Sequence, residues 1–169
     1  MTHAQLYELA AQAGAALKAR RLALATAESC TGGWIGAAVT AVPGSSDWYE
    51  RGFITYTNVA KREMLDVPAA TLEKFGAVSL ETVTAMVSGA LAHSHARVAV
   101  AVSGIAGPSG GTPAKPVGTV CIAWGLSTGT PFAESLLFAG DREAVRLQTV
   151  ERALAGVIAL VTREVALKS

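Results

Sequence analysis

Helical and extended patterns take turns along the first hundred residues of this chain, and that alternation limits the fold more than any single motif. Residues 3–20 carry Leu6, Leu9, Ala10, Ala13, Ala16 and Leu17 at helical spacing, which predicts a first helix. Residues 22–27 read as a short buried strand. A helix then opens near Gly32-Gly33 and closes before the turn cluster Val42-Pro43-Gly44-Ser45-Ser46. Phe53, Ile54, Thr55 and Tyr56 predict a second strand, and Asn58 a cap for a helix holding Lys61 and Met64. Another helix is expected from Ser79 to about His93, and ARVAVAVSG (96–104) reads as a strand.

The pattern then changes. VGTVCIAWG (117–125) and PFAESLLFAG (131–140) read as two strands joined by a hairpin turn at 127–130. A long helix begins at Asp141, with Val145, Leu147, Val150, Leu154, Val157 and Val161 on its apolar face. Helices between the early strands and a late hairpin together predict an α/β fold class. The expected architecture is a mixed sheet between two helical layers, a three-layer α/β/α sandwich. With no linker and no internal repeat, residues 1–169 are expected to form a single domain.

Composition narrows the function classes. Hydrophobic residues make up 51% of the chain and charged ones 16%, which suits one buried core. Fourteen basic against thirteen acidic residues leave no electrostatic footprint for nucleic acid. No run reaches the roughly 18 apolar residues of a membrane span, and the N-terminal residues lack the layout of a signal peptide. A cytoplasmic protein with neither nucleic-acid nor membrane partners is expected. Cys30 and Cys121 lie too far apart for a metal pair and are too few for a disulfide framework, so both are read as reduced thiols.

The chemistry concentrates in TAESCTGGWIG (26–36), where an apolar run leads into Glu28, Ser29, Cys30 and Thr31. Ser29 is placed just past a strand, at the mouth of a helix whose first N–H groups lack internal partners. Thr31, Gly32 and Gly33 can therefore aim backbone donors at an anion, either a phosphate or a tetrahedral oxyanion. The plainer alternative makes Ser29 or Thr31 an N-cap and leaves the glycines a packing role.

A nucleophilic serine needs a base. His3, His93 and His95 all fall on helices, the last two on different faces, which argues against both a Ser-His-Asp triad and a shared metal. A lysine can serve if burial leaves its amine neutral. Lys61 closes the segment YTNVAK (56–61), in which the Tyr56 hydroxyl can relay a proton or fix the lysine. The separation of that pair is five rather than the four of Tyr-x-x-x-Lys dehydrogenases. No G-x-G-x-x-G follows the first strand, so a nicotinamide dinucleotide oxidoreductase is unsupported.

Two further segments stand out. GIAGPSGGTPAKPVG (104–118) is long and aperiodic, and its glycines Gly104, Gly107, Gly110 and Gly111 can expose N–H groups for phosphate or carboxamide recognition. It is not a Walker loop. AGDREAVR (139–146) puts Arg142 and Arg146 on one helical face, as a clamp for a phosphate or another subunit, or as surface partners of acids such as Glu143.

Taken together, TAESCTGGWIGAAVTAVPGSS, GFITYTNVAKREML, FGAVSLETVTAM, VSGIAGPSGGTPAKPVGTV and FAGDREAVR resemble the C-terminal domain of the CinA (competence/damage-inducible protein) family. They occur in the family's order across about residues 24–146. The resemblance implies a mixed, mainly parallel five-stranded sheet. It also implies hydrolysis of the carboxamide of nicotinamide mononucleotide (NMN) to nicotinate mononucleotide and ammonia, with no cofactor and no metal. By motif it places the nucleophile at Ser29 and the supporting tyrosine and lysine at Tyr56 and Lys61. Glu28, Thr31, Gly32, Gly33, Gly104, Gly107, Gly110, Gly111 and Arg142 are then expected at the substrate, with Glu28 orienting the turn or a ribose hydroxyl rather than doing acid–base work. Ser103 joins them, where the family often has threonine. A homodimer or higher homo-oligomer is expected. Longer members carry an N-terminal domain related to molybdopterin-binding proteins, and no pyrophosphatase activity is expected of the residues present. The rival readings are a non-catalytic nucleotide-binding module and an amidase or esterase of another small substrate. Cys30 falls at the open position of the turn motif and is expected to pack inward.

Overall fold

In the computed structural model, which describes the backbone of residues 1–168 and the side chains of residues 1–163, five strands form one sheet. They are β1 (Leu24–Glu28), β2 (Tyr49–Ile54), β3 (Val98–Gly104), β4 (Thr119–Leu126) and β5 (Phe132–Leu137), in the order β2-β1-β3-β4-β5. β1 pairs in parallel with β2 and β3, whereas the β3–β4 and β4–β5 pairs are antiparallel. Only β4 therefore runs against the other four strands. The sheet is mixed and mainly parallel in strand direction.

Helices cover both faces. α1 (His3–Ala19), α2 (Trp34–Thr40) and α6 (Arg142–Lys168) share one core with the sheet, and α3 (Asn58–Leu65), α4 (Ala69–Phe75) and α5 (Leu80–Ala92) share the other. The period of two in β3 sorts its residues between those cores. Val98, Val100 and Val102 face α1 and α6, while Ala99 and Ala101 face α5. β4 repeats the arrangement, with Val120, Ile122 and Trp124 on the first face and Cys121 and Ala123 on the second. Small side chains on one face let α5 lie close to the sheet. Enlarging Ala99 or Ala101 is expected to cost about 1–3 kcal/mol by overpacking.

Local chemistry sets the helix ends. Thr2 and Gln5 form a reciprocal capping box on α1, Ser79 caps α5 by accepting from Thr82 N, and Asp141 Oδ1 accepts from Ala144 N at the start of α6. Of the expected apolar face of α6, Val145, Val150, Leu154, Val157 and Val161 are buried, and Leu147 is half-buried.

Two boundaries differ from the sequence reading. β2 begins at Tyr49 and ends at Ile54, so Thr55 and Tyr56 lie beyond it. As an edge strand it pairs only with β1 and is largely exposed, which leaves little apolar alternation to read. Thr57 rather than Asn58 caps α3, its hydroxyl accepting from Ala60 N at 3.1 Å. The short α4, unforeseen, buries only Leu72 and carries almost no amphipathic signal.

The chain leaves β1 for β2 on one side and returns to β3 on the other. β1 and β3 thus flank the topological switch point, where α/β sheets bind ligands beyond the carboxyl ends of their strands. Ser29 follows β1, and Ser103 and Gly104 end β3.

Candidate active site

Ser29 sits where β1 stops pairing and the chain turns into α2. Its N–H donates to Val102 O at 3.1 Å, which anchors the turn to β3. Gly32 and Gly33 then adopt φ of +60° and +103°, a left-handed pair that glycine accepts without strain. Gly33 precedes α2 without a side chain to cap it, and Glu28 takes over that task. Its carboxylate, 2% exposed, accepts from Ile35 N at 2.9 Å, Gly36 N at 3.0 Å and the Thr31 hydroxyl at 2.6 Å. The side chains of Glu28 and Thr31, expected at the substrate, instead bond each other and the start of α2. Their contribution is to fix the turn that presents Ser29.

Lys61 projects from the first turn of α3 and is 1% exposed, a cation taken almost wholly out of water. Its Nζ lies 2.9 Å from Ser29 Oγ, 2.9 Å from Thr55 O and 3.4 Å from Tyr56 O. Two carbonyls and a hydroxyl surround it, and among the described residues no carboxylate pairs with it. Burial without a counter-ion penalises the ammonium form and pulls the Lys61 pKa from near 10.5 down to about 8. The neighbouring thiol moves the other way. Cys30 is 7% exposed, belongs to the core shared with α1 and α6, and burial pushes its pKa up to about 12. A thiol so hard to ionise is a poor nucleophile.

Tyr56 contributes differently from the relay read in the sequence. Its side chain is 58% exposed and its hydroxyl accepts from Arg142 Nη2 at 3.1 Å, so Lys61 reaches Ser29 without it. The Tyr56 carbonyl, rather than its hydroxyl, faces the pair. Arg142 also donates to Gly107 O at 2.8 Å and so ties the start of α6 to the glycine-rich loop.

These groups border a cavity of about 240 Å³. Ser29, Tyr56, Lys61, Ser103, Gly104 and Arg142 line it, which brings together six of the residues expected at the site. Gly32, Gly33, Gly107, Gly110 and Gly111 do not line it, and the last two are exposed. Pockets for drug-sized ligands usually run from roughly 300 to 1,000 Å³, so this one suits a ring-sized head group whose remainder projects outward. Cys30 and Ala106 also border it, and Asn58, Ala77 and Val78 complete the wall without having been anticipated. The sequence reading makes Asn58 the α3 cap, and it gives Ala77 and Val78 no site role although both lie within the motif FGAVSLETVTAM. Among the described residues no cluster fit to hold a metal ion is found, and no helix is long and apolar enough to cross a membrane.

Fold and site together define an α/β/α protein with a buried serine–lysine pair at the carboxyl ends of parallel strands. The family model for the CinA C-terminal domain matches residues 6–161, and the chain belongs to that family. It is 55% identical over 154 residues to the nicotinamide-nucleotide amidohydrolase PncC of Pseudomonas putida, covering 91% of this chain and 96% of that protein. The Escherichia coli K12 protein of the same name is 49% identical, covering 91% and 93%. Among solved structures, the competence/damage-inducible protein CihA from Agrobacterium tumefaciens superposes with a TM-score of 0.89 at 47% identity, covering 92% of this chain and 94% of that one.

Proposed function

We propose that this protein is a nicotinamide-nucleotide amidohydrolase that converts NMN and water to nicotinate mononucleotide and ammonia. The reading is carried by one observation, the 2.9 Å approach of a desolvated lysine to a serine hydroxyl at the switch point of the sheet. The names of the close relatives point to the substrate.

The chemistry follows from the surroundings of Lys61. As a neutral amine it has two N–H groups and one lone pair. The Thr55 and Tyr56 carbonyls accept the two N–H groups, which leaves the lone pair for the Ser29 hydroxyl. Lys61 removes that proton as Ser29 Oγ attacks the carboxamide carbon. The tetrahedral intermediate collapses when the Lys61 ammonium returns the proton to the leaving nitrogen. Ammonia departs and a nicotinoyl ester remains on Ser29. Water, deprotonated by the same amine, then cleaves the ester and releases the carboxylate product. With a pKa of about 8, roughly a tenth of the Lys61 side chains are neutral at pH 7.

Comparison of NMN, nicotinamide riboside and free nicotinamide as substrates for the purified protein tests the assignment. Ammonia release from NMN at a kcat/KM at least tenfold above that for the riboside is expected, because only NMN carries the phosphate. Equal rates on all three would make the protein an amidase of another small substrate. NMN binding without ammonia release would make it a binding module.

A further inference from the structure

Arg146 stands one helical turn beyond Arg142 and lines no part of the cavity that holds Ser29 and Lys61. Its side chain is nonetheless committed to the turn that carries the nucleophile. Nε donates to Cys30 O at 3.1 Å, Nη2 donates to Thr31 O at 3.0 Å, and the guanidinium lies 5.3 Å from the centre of the Trp34 ring. A long side chain from the last helix thus grips the two carbonyls immediately after Ser29, across more than a hundred residues of sequence.

A carbonyl and the N–H of the same trans peptide point in opposite directions, so fixing one aims the other. Ser29 O accepts from Gly32 N at 3.1 Å, which turns Cys30 N–H away from Gly32. Cys30 O is held by Arg146, which turns Thr31 N–H away from the guanidinium. Thr31 O is held both by Arg146 and by Trp34 N at 3.1 Å. Among the described residues Cys30 N–H finds no acceptor in another residue, although Cys30 follows the nucleophile directly and borders the cavity. Unpaired buried N–H groups are rare in folded proteins and mark a place where something else is to be bound.

We infer that Arg146 is a positioning residue: by holding Cys30 O and Thr31 O it fixes the turn in which Cys30 N–H, at the cavity wall, serves as an oxyanion-hole donor for the tetrahedral intermediate on Ser29. The inference rests on the reading of Ser29 as nucleophile. The planar fork of Arg146 spans both carbonyls at once, which a lysine ammonium cannot reproduce.

The test uses Arg146→Lys, which keeps the charge and loses the fork, and Arg146→Ala. A fluorophosphonate probe reports on the hole independently of the natural substrate. Ser29 Oγ forms a bond to phosphorus, fluoride leaves, the serine proton passes to Lys61, and the phosphoryl oxygen takes the oxyanion position. At pH 9, Arg146→Lys is expected to label about 30-fold more slowly than wild type, since misaimed donors cost one to two orders of magnitude. The kcat for NMN should fall by a similar factor while KM stays within about threefold. Thermal midpoints should stay close to wild type, and guanidinium ion at a non-denaturing concentration should restore part of the rate to Arg146→Ala. Labelling at the wild-type rate overturns the inference, as does a rise in KM with steady kcat. A loss that guanidinium does not relieve in Arg146→Ala also overturns it, as does failure of wild-type Ser29 to label. Labelling that follows the prediction without NMN turnover would sustain the hole and reject only the substrate.

Discussion

Two cavities of nearly equal size lie at opposite ends of the chemistry this fold can support. The one beside Ser29 and Lys61 measures about 240 Å³; the other, about 260 Å³, is bounded by Trp124, Phe132, Arg152 and Leu160 between the β4–β5 hairpin and α6. In the second, Arg152 has an anion and the Trp124 indole an acceptor. Arg152 Nε lies 2.6 Å from Glu134 Oε1, its guanidinium sits 4.8 Å from the Trp124 ring centre, and the indole N–H donates to Ala153 O at 2.9 Å. In the first, a buried cation has no anion among the described residues and the backbone N–H of Cys30, beside the nucleophile, has no acceptor in another residue. Volume does not separate the two cavities. A buried cation without an anion does, because such a group is stable only where a ligand or a reaction uses it.

The largest effects should come from removing either member of the uncompensated pair. Ser29→Ala and Lys61→Met are each expected to lower ammonia release from NMN by about a thousandfold or more, whereas Cys30→Ala should keep most of it. A Cys30→Ala protein that lost activity while keeping its fold would move the nucleophile to the neighbouring position.

Acidity should distinguish the cavities next. Because the reaction needs neutral Lys61, kcat/KM should rise about tenfold per pH unit up to about 8 and then level off. A profile flat between pH 6 and 9 would show that this amine is not the base.

The same lysine should leave a trace in stability. From about pH 8 to 10.5 the unfolded chain holds a proton that folded Lys61 has lost, so stability rises with pH across that window and is lowest below it. Lys61→Met lacks this term. Wild type should therefore gain on the variant in urea midpoint between pH 7 and 10, and a difference independent of pH would mean that the buried ammonium suffers no penalty.

The smallest effect belongs to the cavity beside α6. Arg152→Gln should leave NMN turnover within about twofold and lower stability by about 1 kcal/mol or less, since a partly exposed ion pair and cation–π contact are each worth little. A large loss of turnover would give that cavity a part in the reaction.

Much of the fold and part of the Ser29–Lys61 site were legible in the sequence, whereas the second cavity was not. The alternation of helices and strands carried the sandwich, and the turn around Ser29 and the segment ending at Lys61 could be singled out by residue type. What the sequence withheld depends on distance. By sequence Glu28 could orient either the turn or a ribose hydroxyl. Only the geometry reveals that an uncapped α2 consumes it. Tyr56 and Lys61 were linked by spacing, yet the edge strand ends at Ile54 and leaves the Tyr56 ring pointing to Arg142. Arg146 shared a helical face with Arg142, but nothing local signals a grip on carbonyls more than a hundred residues away.

Ammonia release from NMN by wild type beside Ser29→Ala, at pH 8.5 with Cys30 intact in both, tests the serine–lysine assignment most directly. Release by wild type alone is the predicted result. Turnover that survives in Ser29→Ala would contradict the assignment of this serine as nucleophile.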